Sequence, residues 1–156
     1  MFLKSKRILC VIMVVMAGLS GQACTAASTA SERYRDTVKA TDLSLIKTDF
    51  GKDGATALYI GSPAVDLLSN ITGPGLVLSR DSRDFSFANL IYVGSGYGTS
   101  LEGNRCLVIV YRVRSGPGDI DYAGRRNLTE DQIAGLERGE LALVEVGTLC
   151  DADADR

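Results

Sequence analysis

The chain has 156 residues, with 17 basic and 19 acidic side chains, a formal net charge of −2 and no histidine. Without histidine, the Ser-His and Cys-His nucleophile pairs and the commonest zinc ligand are excluded. The slightly acidic balance argues against general nucleic-acid binding. We therefore expect no cofactor and no metal site, and we favour a non-enzymatic role over catalysis.

The first 30 residues have the pattern of an export signal. Lys4, Lys6 and Arg7 precede an uncharged apolar run over residues 8–19, and small residues follow. The run is 12 residues long, whereas a membrane-spanning helix needs about 20. The pattern therefore indicates a secretory signal peptide rather than a permanent anchor. Its removal leaves 14 basic residues against 19 acidic ones, a net charge of −5.

The end of this signal, "LSGQAC", resembles the lipobox of bacterial lipoproteins. In that family a small residue precedes a cysteine that is diacylated and becomes the first residue of the mature chain. Ala23 and Cys24 match the pattern, whereas Gly21 stands where leucine is commonest. The resemblance implies a signal peptide over 1–23, lipidation of Cys24, and a domain held outside the cytoplasm at the cell membrane or outer membrane by lipid alone. Ordinary cleavage after Ala23 or Ala30 is the alternative.

The number of cysteines bears on these alternatives. The chain contains Cys10, Cys24, Cys106 and Cys150. Lipidation of Cys24, or cleavage after Ala30, leaves one pair of thiols for an oxidising compartment. Cleavage that leaves Cys24 as a thiol gives an odd cysteine, which such a compartment disfavours.

The rest of the chain predicts a flexible tether over 24–31, one domain over 32–150 and a disordered acidic tail over 151–156. Apolar residues at helical spacing predict a helix over 31–50, whose residues 32–47 are expected to cover a sheet. Residues 55–61 favour a strand, although a helix start also fits them.

A short helix is predicted over 62–70, with Ser62 as its N-cap and Pro63 in its first turn. Branched and aromatic residues predict strands over the ranges 76–79, 85–93, 105–113 and 140–150. The clearest helix signal covers 127–139, where Thr129 and Gln132 form a capping box.

The glycine-rich stretch "VGSGYGTS" at 93–100 could open a phosphate-binding loop. Such loops lead into a helix that supplies backbone amides, but here another strand follows and no Gly-Lys-Ser/Thr triplet is present. The stretch is therefore interpreted as a long hairpin loop that uses glycine for positive φ.

Placing Cys106 opposite Cys150 in an antiparallel register keeps every opposed pair of residues on one face of the sheet. This predicts a disulfide that closes a loop of about 45 residues and stabilises the fold by about 3–4 kcal/mol. Two free buried thiols are the alternative. The predicted fold is α+β, with a mainly antiparallel sheet of four or five strands packed against two or three helices.

Two sets of charged residues are candidate sites. Arg112 and Arg114 could bind an anion, or they could pair with Glu145 or with the acids at Asp119 and Asp121. Those two aspartates could serve a metal or glycosidase site, but such acids in a Gly-Pro loop usually mark a solvated turn.

These features predict an exported lipoprotein that acts as a binding or accessory module of the cell envelope, with a protein partner. An inhibitor or immunity protein would fit this description. The alternative is a carboxylate-based hydrolase of envelope glycans, and a plain spacer role also remains open. A deep acidic cleft would favour the enzyme, whereas a shallow apolar surface would favour binding.

Overall fold

The computed structural model describes residues 28–51, 54–80, 86–87, 89–114 and 119–153. The predicted signal peptide and Cys24 lie outside these ranges. The helices are α1 (Ala30–Arg35), α2 (Leu67–Asn70), α3 (Asp119–Ala123) and α4 (Glu130–Glu137), with 3-10 turns at Arg125–Asn127 and Asp151–Asp153. The strands are β1 (Lys39–Ala40), β2 (Leu43–Gly51), β3 (Gly54–Gly61), β4 (Ile71–Thr72), β5 (Val77–Ser79), β6 (Leu90–Thr99), β7 (Arg105–Val113) and β8 (Ala142–Cys150).

Six of the strands form one sheet in the order β2-β3-β8-β7-β6-β5, and β1 pairs with β4 in a second, small sheet. All of these pairings are antiparallel. The predicted mainly antiparallel α+β fold is confirmed, but the predictions of four or five strands and of two or three helices were too low.

The disulfide between Cys106 and Cys150 is confirmed, at a sequence separation of 44 residues. The two cysteines are directly opposed in the β7–β8 ladder, followed by Leu107 opposite Leu149 and Val108 opposite Thr148. This is the register that the hydrophobic alternation predicted.

The helix predicted over 31–50 is wrong beyond Arg35. The chain turns after α1, and β2 occupies Leu43–Gly51. Leu45, which the helical stripe placed inward, is 56% exposed. The nine residues of β2 satisfy their backbone groups along one side by pairing with β3. This pairing outweighs a narrow and weak helical periodicity.

The loop predicted over 93–100 is also wrong, because most of it is the second half of β6. Gly94, Gly96 and Gly98 lie on one face of that strand, and none of them has a positive φ. Their role is close approach: a Cβ on Gly98 would lie 2.5 Å from the ring carbon Cζ of Tyr34. The turn between β6 and β7 is confined to residues 100–104.

Several predicted boundaries shift. The short helix begins at Leu67 with Asp66 as its N-cap, so Ser62 is not its cap. Helix α1 begins at Ala30, within the predicted tether. The predicted disordered tail is ordered through Asp153, where a 3-10 turn ends.

Other elements are confirmed. Strand β3 covers the predicted range, and so does β7. Thr129 and Gln132 form the predicted capping box of α4. Gly139 follows this helix with a φ of +71°, a conformation that favours glycine.

The sheet has a buried cluster on each face. The cluster on the first face joins the disulfide and the valines of β7 and β8 to α1 and β4. On the second face, a smaller cluster joins residues of α3 and α4 to one end of the sheet. Its fully buried members are Leu58, Ile60, Val113, Ala123, Leu136 and Leu143.

Candidate functional site

The described residues cover the second face of the sheet at one end only. Along β7, buried Cys106 and Val108 point to the first face, whereas Leu107 and Ile109 point to the second face and are half-buried. Farther along the strand, Val113 on the second face is buried. On this face, the residues of β7 are therefore half-buried near Cys106 and become buried towards Val113.

Strands β8 and β3 show the same change from half-buried to buried residues along their second face. On the second face of β8, Leu149 and Gly147 are half-buried, whereas Leu143 is fully buried. In β3, Thr56 is half-buried and Leu58 is buried. Helices α3 and α4 cover one end of the second face, and no described element covers the end beside the disulfide.

We call this uncovered end the open face. Among the residues that strand register places on it are Thr56, Val77, Ser79, Ser95, Tyr97, Leu107, Ile109, Gly147 and Leu149. Leu107, Ile109 and Leu149 form its apolar centre. A Cβ on Gly147 would meet the backbone oxygen of Ile109 at 3.9 Å, an ordinary van der Waals contact, so a methyl group fits at this point. The open face is a shallow surface with an apolar centre.

An arginine and a tyrosine form its outer border. The Arg105 guanidinium carbon lies 3.6 Å from the centroid of the Tyr97 ring, in a cation–π contact. Tyr97 is 50% exposed and is directly opposed by Val77, which is 78% exposed.

An aromatic cluster with one carboxylate forms the inner border. The ring of Tyr111 lies 6.2 Å from that of Tyr92 and 6.0 Å from that of Phe87. Tyr122 Oη donates a hydrogen bond to Glu145. Burial, and then this bond to the carboxylate, raise the pKa of Tyr122 far above its usual range. The phenol therefore remains a donor, and Glu145 remains the acceptor.

Arg112, one of the predicted arginine pair, does not contact the Glu145 carboxylate. Glu145 is opposite Tyr111 in the ladder, so it points to the second face, whereas Arg112 points to the first. This geometry excludes the ion pair between Arg112 and Glu145 that the sequence left open. The Nε atom of Arg112 is buried without a hydrogen-bond partner among the described residues. Arg114 is exposed beyond the end of β7.

Asp119 and Asp121 belong to α3 rather than to a loop. Residues two apart on a helix point in different directions, so helix geometry does not bring their carboxylates together. Asp121 is exposed, and the side chain of Asp119 is outside the described part of the structure. Within the described ranges, no group of three or more histidine, cysteine, aspartate or glutamate side chains could hold a metal ion.

A buried polar cluster on the first face links the two ends of the domain. Asp153 accepts hydrogen bonds from Ser31 N at 2.7 Å and Ser31 Oγ at 2.6 Å, and from Ala30 N at 3.3 Å. Ser31 Oγ in turn accepts a bond from Cys150 N at 2.9 Å. The start of α1 is therefore attached to the end of β8, next to the disulfide.

Among the residues that the structure describes, no helix combines the length and apolarity needed to cross a membrane. Comparisons with protein-family models, with curated proteins and with solved structures find no match.

The open face was missed in the sequence, although β8 carried a signal for it. Its second-face residues are Leu143, Glu145, Gly147 and Leu149, so a charge and a glycine interrupt the apolar set. At the neighbouring positions of β7, Leu107 and Ile109 are apolar. Because a strand that is apolar on both faces is typical of full burial, β7 predicted a buried sheet here.

Proposed function

We propose that this protein is an exported, lipid-anchored binding module whose open face holds a protein partner. The observation that carries the proposal is the apolar half-face, which no described element of the chain covers. Monomeric soluble proteins seldom leave a large contiguous apolar surface in water, and such surfaces usually mark interaction sites.

The chemistry of the open face supports a protein rather than a small molecule. Small ligands are held in concave pockets, whereas this surface is a shallow sheet with Gly147 near its centre. Interfaces are enriched in aromatic residues, and Phe87 at the inner border of the open face is 62% exposed. No observation on the described residues favours the alternative of a carboxylate-based hydrolase.

The anchoring part of the proposal is supported by the start of α1. Thr29 Oγ1 accepts a bond from Glu32 N at 3.1 Å, and Glu32 Oε2 accepts one from Thr29 N at 2.6 Å. Ala30 is only 4% exposed and belongs to the first-face core. Cleavage after Ala30 would remove this capping box and a core residue, so the fold favours a mature N-terminus farther upstream.

The disulfide strengthens this argument. Because Cys106 and Cys150 are bonded to each other, a mature chain that begins at Cys24 has one remaining cysteine. Lipidation would consume that thiol, whereas ordinary cleavage after Ala23 would leave it free in an oxidising compartment. Intact mass of membrane-extracted protein tests this step: an acylated N-terminal Cys24 supports the anchor, and an unmodified N-terminus refutes it.

Affinity capture with matched variants tests the open face. Residues 25–156 would be produced oxidised and immobilised, since a fragment that starts at Ser31 lacks the cap of α1. Ile109→Asp places a charge at the centre of the open face, and Leu45→Asp places one at an exposed apolar position elsewhere. We expect envelope extract to yield a protein that binds the wild type and Leu45→Asp equally.

Ile109→Asp should bind that protein at least about tenfold more weakly, which corresponds to about 1.4 kcal/mol. Thermal denaturation of each variant checks that the domain is still folded. Equal binding by Ile109→Asp, or an eluate without any retained protein, would contradict the proposal.

A further inference from the structure

The two most exposed large apolar side chains of the described residues, Leu101 and Val77, lie at one end of the sheet. Leu101, in the turn between β6 and β7, is 88% exposed. Val77 is 78% exposed and lies opposite Tyr97, which is 50% exposed. With Arg105, whose guanidinium contacts the Tyr97 ring, these residues form what we call the hairpin end.

The N-terminal segment enters the domain at this same end. Ser31 Oγ accepts a hydrogen bond from the backbone of Cys150, in the last residue of β8. Two residues later, Arg33 Nε lies 2.9 Å from Glu102 Oε1 in an ion pair. Because Glu102 follows Leu101 directly, the first turn of α1 lies beside the hairpin.

The connection from Cys24 to this turn is short. Four residues, 25–28, separate Cys24 from Thr29, the N-cap of α1. Even fully extended, five Cα–Cα steps span about 17 Å. A lipid on Cys24 would therefore hold the hairpin end near the bilayer surface, with little freedom to turn the opposite end of the sheet towards it.

The side chains at the hairpin end suit a membrane interface. Tyrosine and arginine are amphipathic and place apolar parts beside acyl chains with their polar ends in water. Leu101 and Val77 supply the apolar contact. A mature chain with a net charge of −5 gains little from anionic lipid, so the attraction has to be apolar.

From these observations we infer that the hairpin end inserts into the bilayer interface as a second membrane contact. The surface that it recognises is the lipid bilayer. The strands then extend away from the bilayer surface. The open face lies next to the bilayer, where a membrane-associated partner can reach it. The inference depends on the proposed anchor at Cys24, and it goes beyond membrane contact through lipid alone.

The absence of tryptophan from the chain provides a direct test. Leu101→Trp places a single tryptophan at the hairpin. Leu45→Trp is the matched control, because Leu45 is 56% exposed and lies in the same register row as Arg112, near the far end of β7. Each variant would begin at Cys24 and be coupled through that thiol to a maleimide lipid in phosphatidylcholine vesicles.

The emission of Leu101→Trp should shift to shorter wavelength, and brominated lipid should quench it at least about threefold more than it quenches Leu45→Trp. Equal emission and equal quenching of the two variants would overturn the inference. Insertion of the control alone would do so as well. Both substitutions are at exposed positions, and an unchanged Tm would show that the fold is intact.

The chemical coupling keeps this test independent of acylation in the cell. If intact mass shows no acyl group but Leu101→Trp still inserts, the anchor proposal fails and the membrane affinity of the hairpin is established. If Cys24 is acylated but the coupled variant stays in water, the anchor holds and the hairpin inference is refuted.

Discussion

Replacing Asp153 with asparagine should destabilise the domain strongly, although only three residues of the sequence follow it. Asp153 is 8% exposed. It accepts three hydrogen bonds from the first turn of α1, from Ala30 N and from the backbone and side chain of Ser31. Asparagine has nearly the same shape, but it lacks the charge and replaces one acceptor atom with a donor.

The expected cost follows from these bonds. Hydrogen bonds to a charged group contribute about 1.5–3 kcal/mol each, and an amide at this position can preserve only part of the set. We therefore expect a loss of about 3 kcal/mol from the free energy of unfolding. For a domain of this size, that loss corresponds to a decrease in Tm of about 10 °C.

Chemical and thermal denaturation of the oxidised protein would measure this loss. Asp151→Asn is the matched control, because Asp151 is in the same 3-10 turn but is exposed. A double-mutant cycle of Asp153→Asn with Ser31→Ala should give a coupling energy of at least about 1 kcal/mol. The reasoning is refuted if Asp153→Asn and Asp151→Asn have the same stability.

Three further predictions concern the sheet and its borders. Replacing both Cys106 and Cys150 with alanine should lower the free energy of unfolding by about 2–4 kcal/mol, measured by urea titration; unchanged stability would refute a stabilising bridge. Gly98→Ala should lower the free energy of unfolding by about 2 kcal/mol or more, because its Cβ would overlap a buried tyrosine. Gly147→Ala on the open face should leave the free energy of unfolding unchanged. Equal Tm values for the two variants would contradict this contrast. Burial and the bond to a carboxylate raise the pKa of Tyr122, so the folded chain keeps this phenol protonated while the unfolded chain ionises near pH 10. Its contribution to stability is present below about pH 10 and is lost as the pH rises further. The free energy of unfolding should therefore fall less steeply above that pH for Tyr122→Phe than for the wild type. Identical slopes would argue against the raised pKa of Tyr122.

The sequence could predict the parts of the fold that depend on strict alternation. The β7–β8 register was predictable because a shift of one residue would have placed Cys106 and Cys150 on opposite faces. Helix α4 was predictable because its capping box and its C-terminal glycine agree with its apolar spacing. In both cases several local signals pointed to one structure.

Other elements could not be predicted, because pairing and packing with other segments of the chain determine them. The helical spacing of Tyr34, Val38 and Leu45 was coincidental, since β2 is formed by pairing with β3. The glycines of β6 suggested a loop, whereas they make room for Tyr34 and for the segment at β5. The open face depends on which helix covers which end of the sheet, and the only local signal for it, the charge and the glycine on the second face of β8, does not specify that arrangement.

Site-specific photo-cross-linking in intact cells would test the central proposal most directly. A photoreactive amino acid would replace Ile109 on the open face or, as the control, Leu45 on β2, in the full-length chain with its own signal. We predict that the probe at position 109 forms a discrete adduct with one envelope protein and that the probe at 45 does not. Adducts from position 45 alone, or no adduct from position 109, would contradict the proposal that the open face is the binding surface.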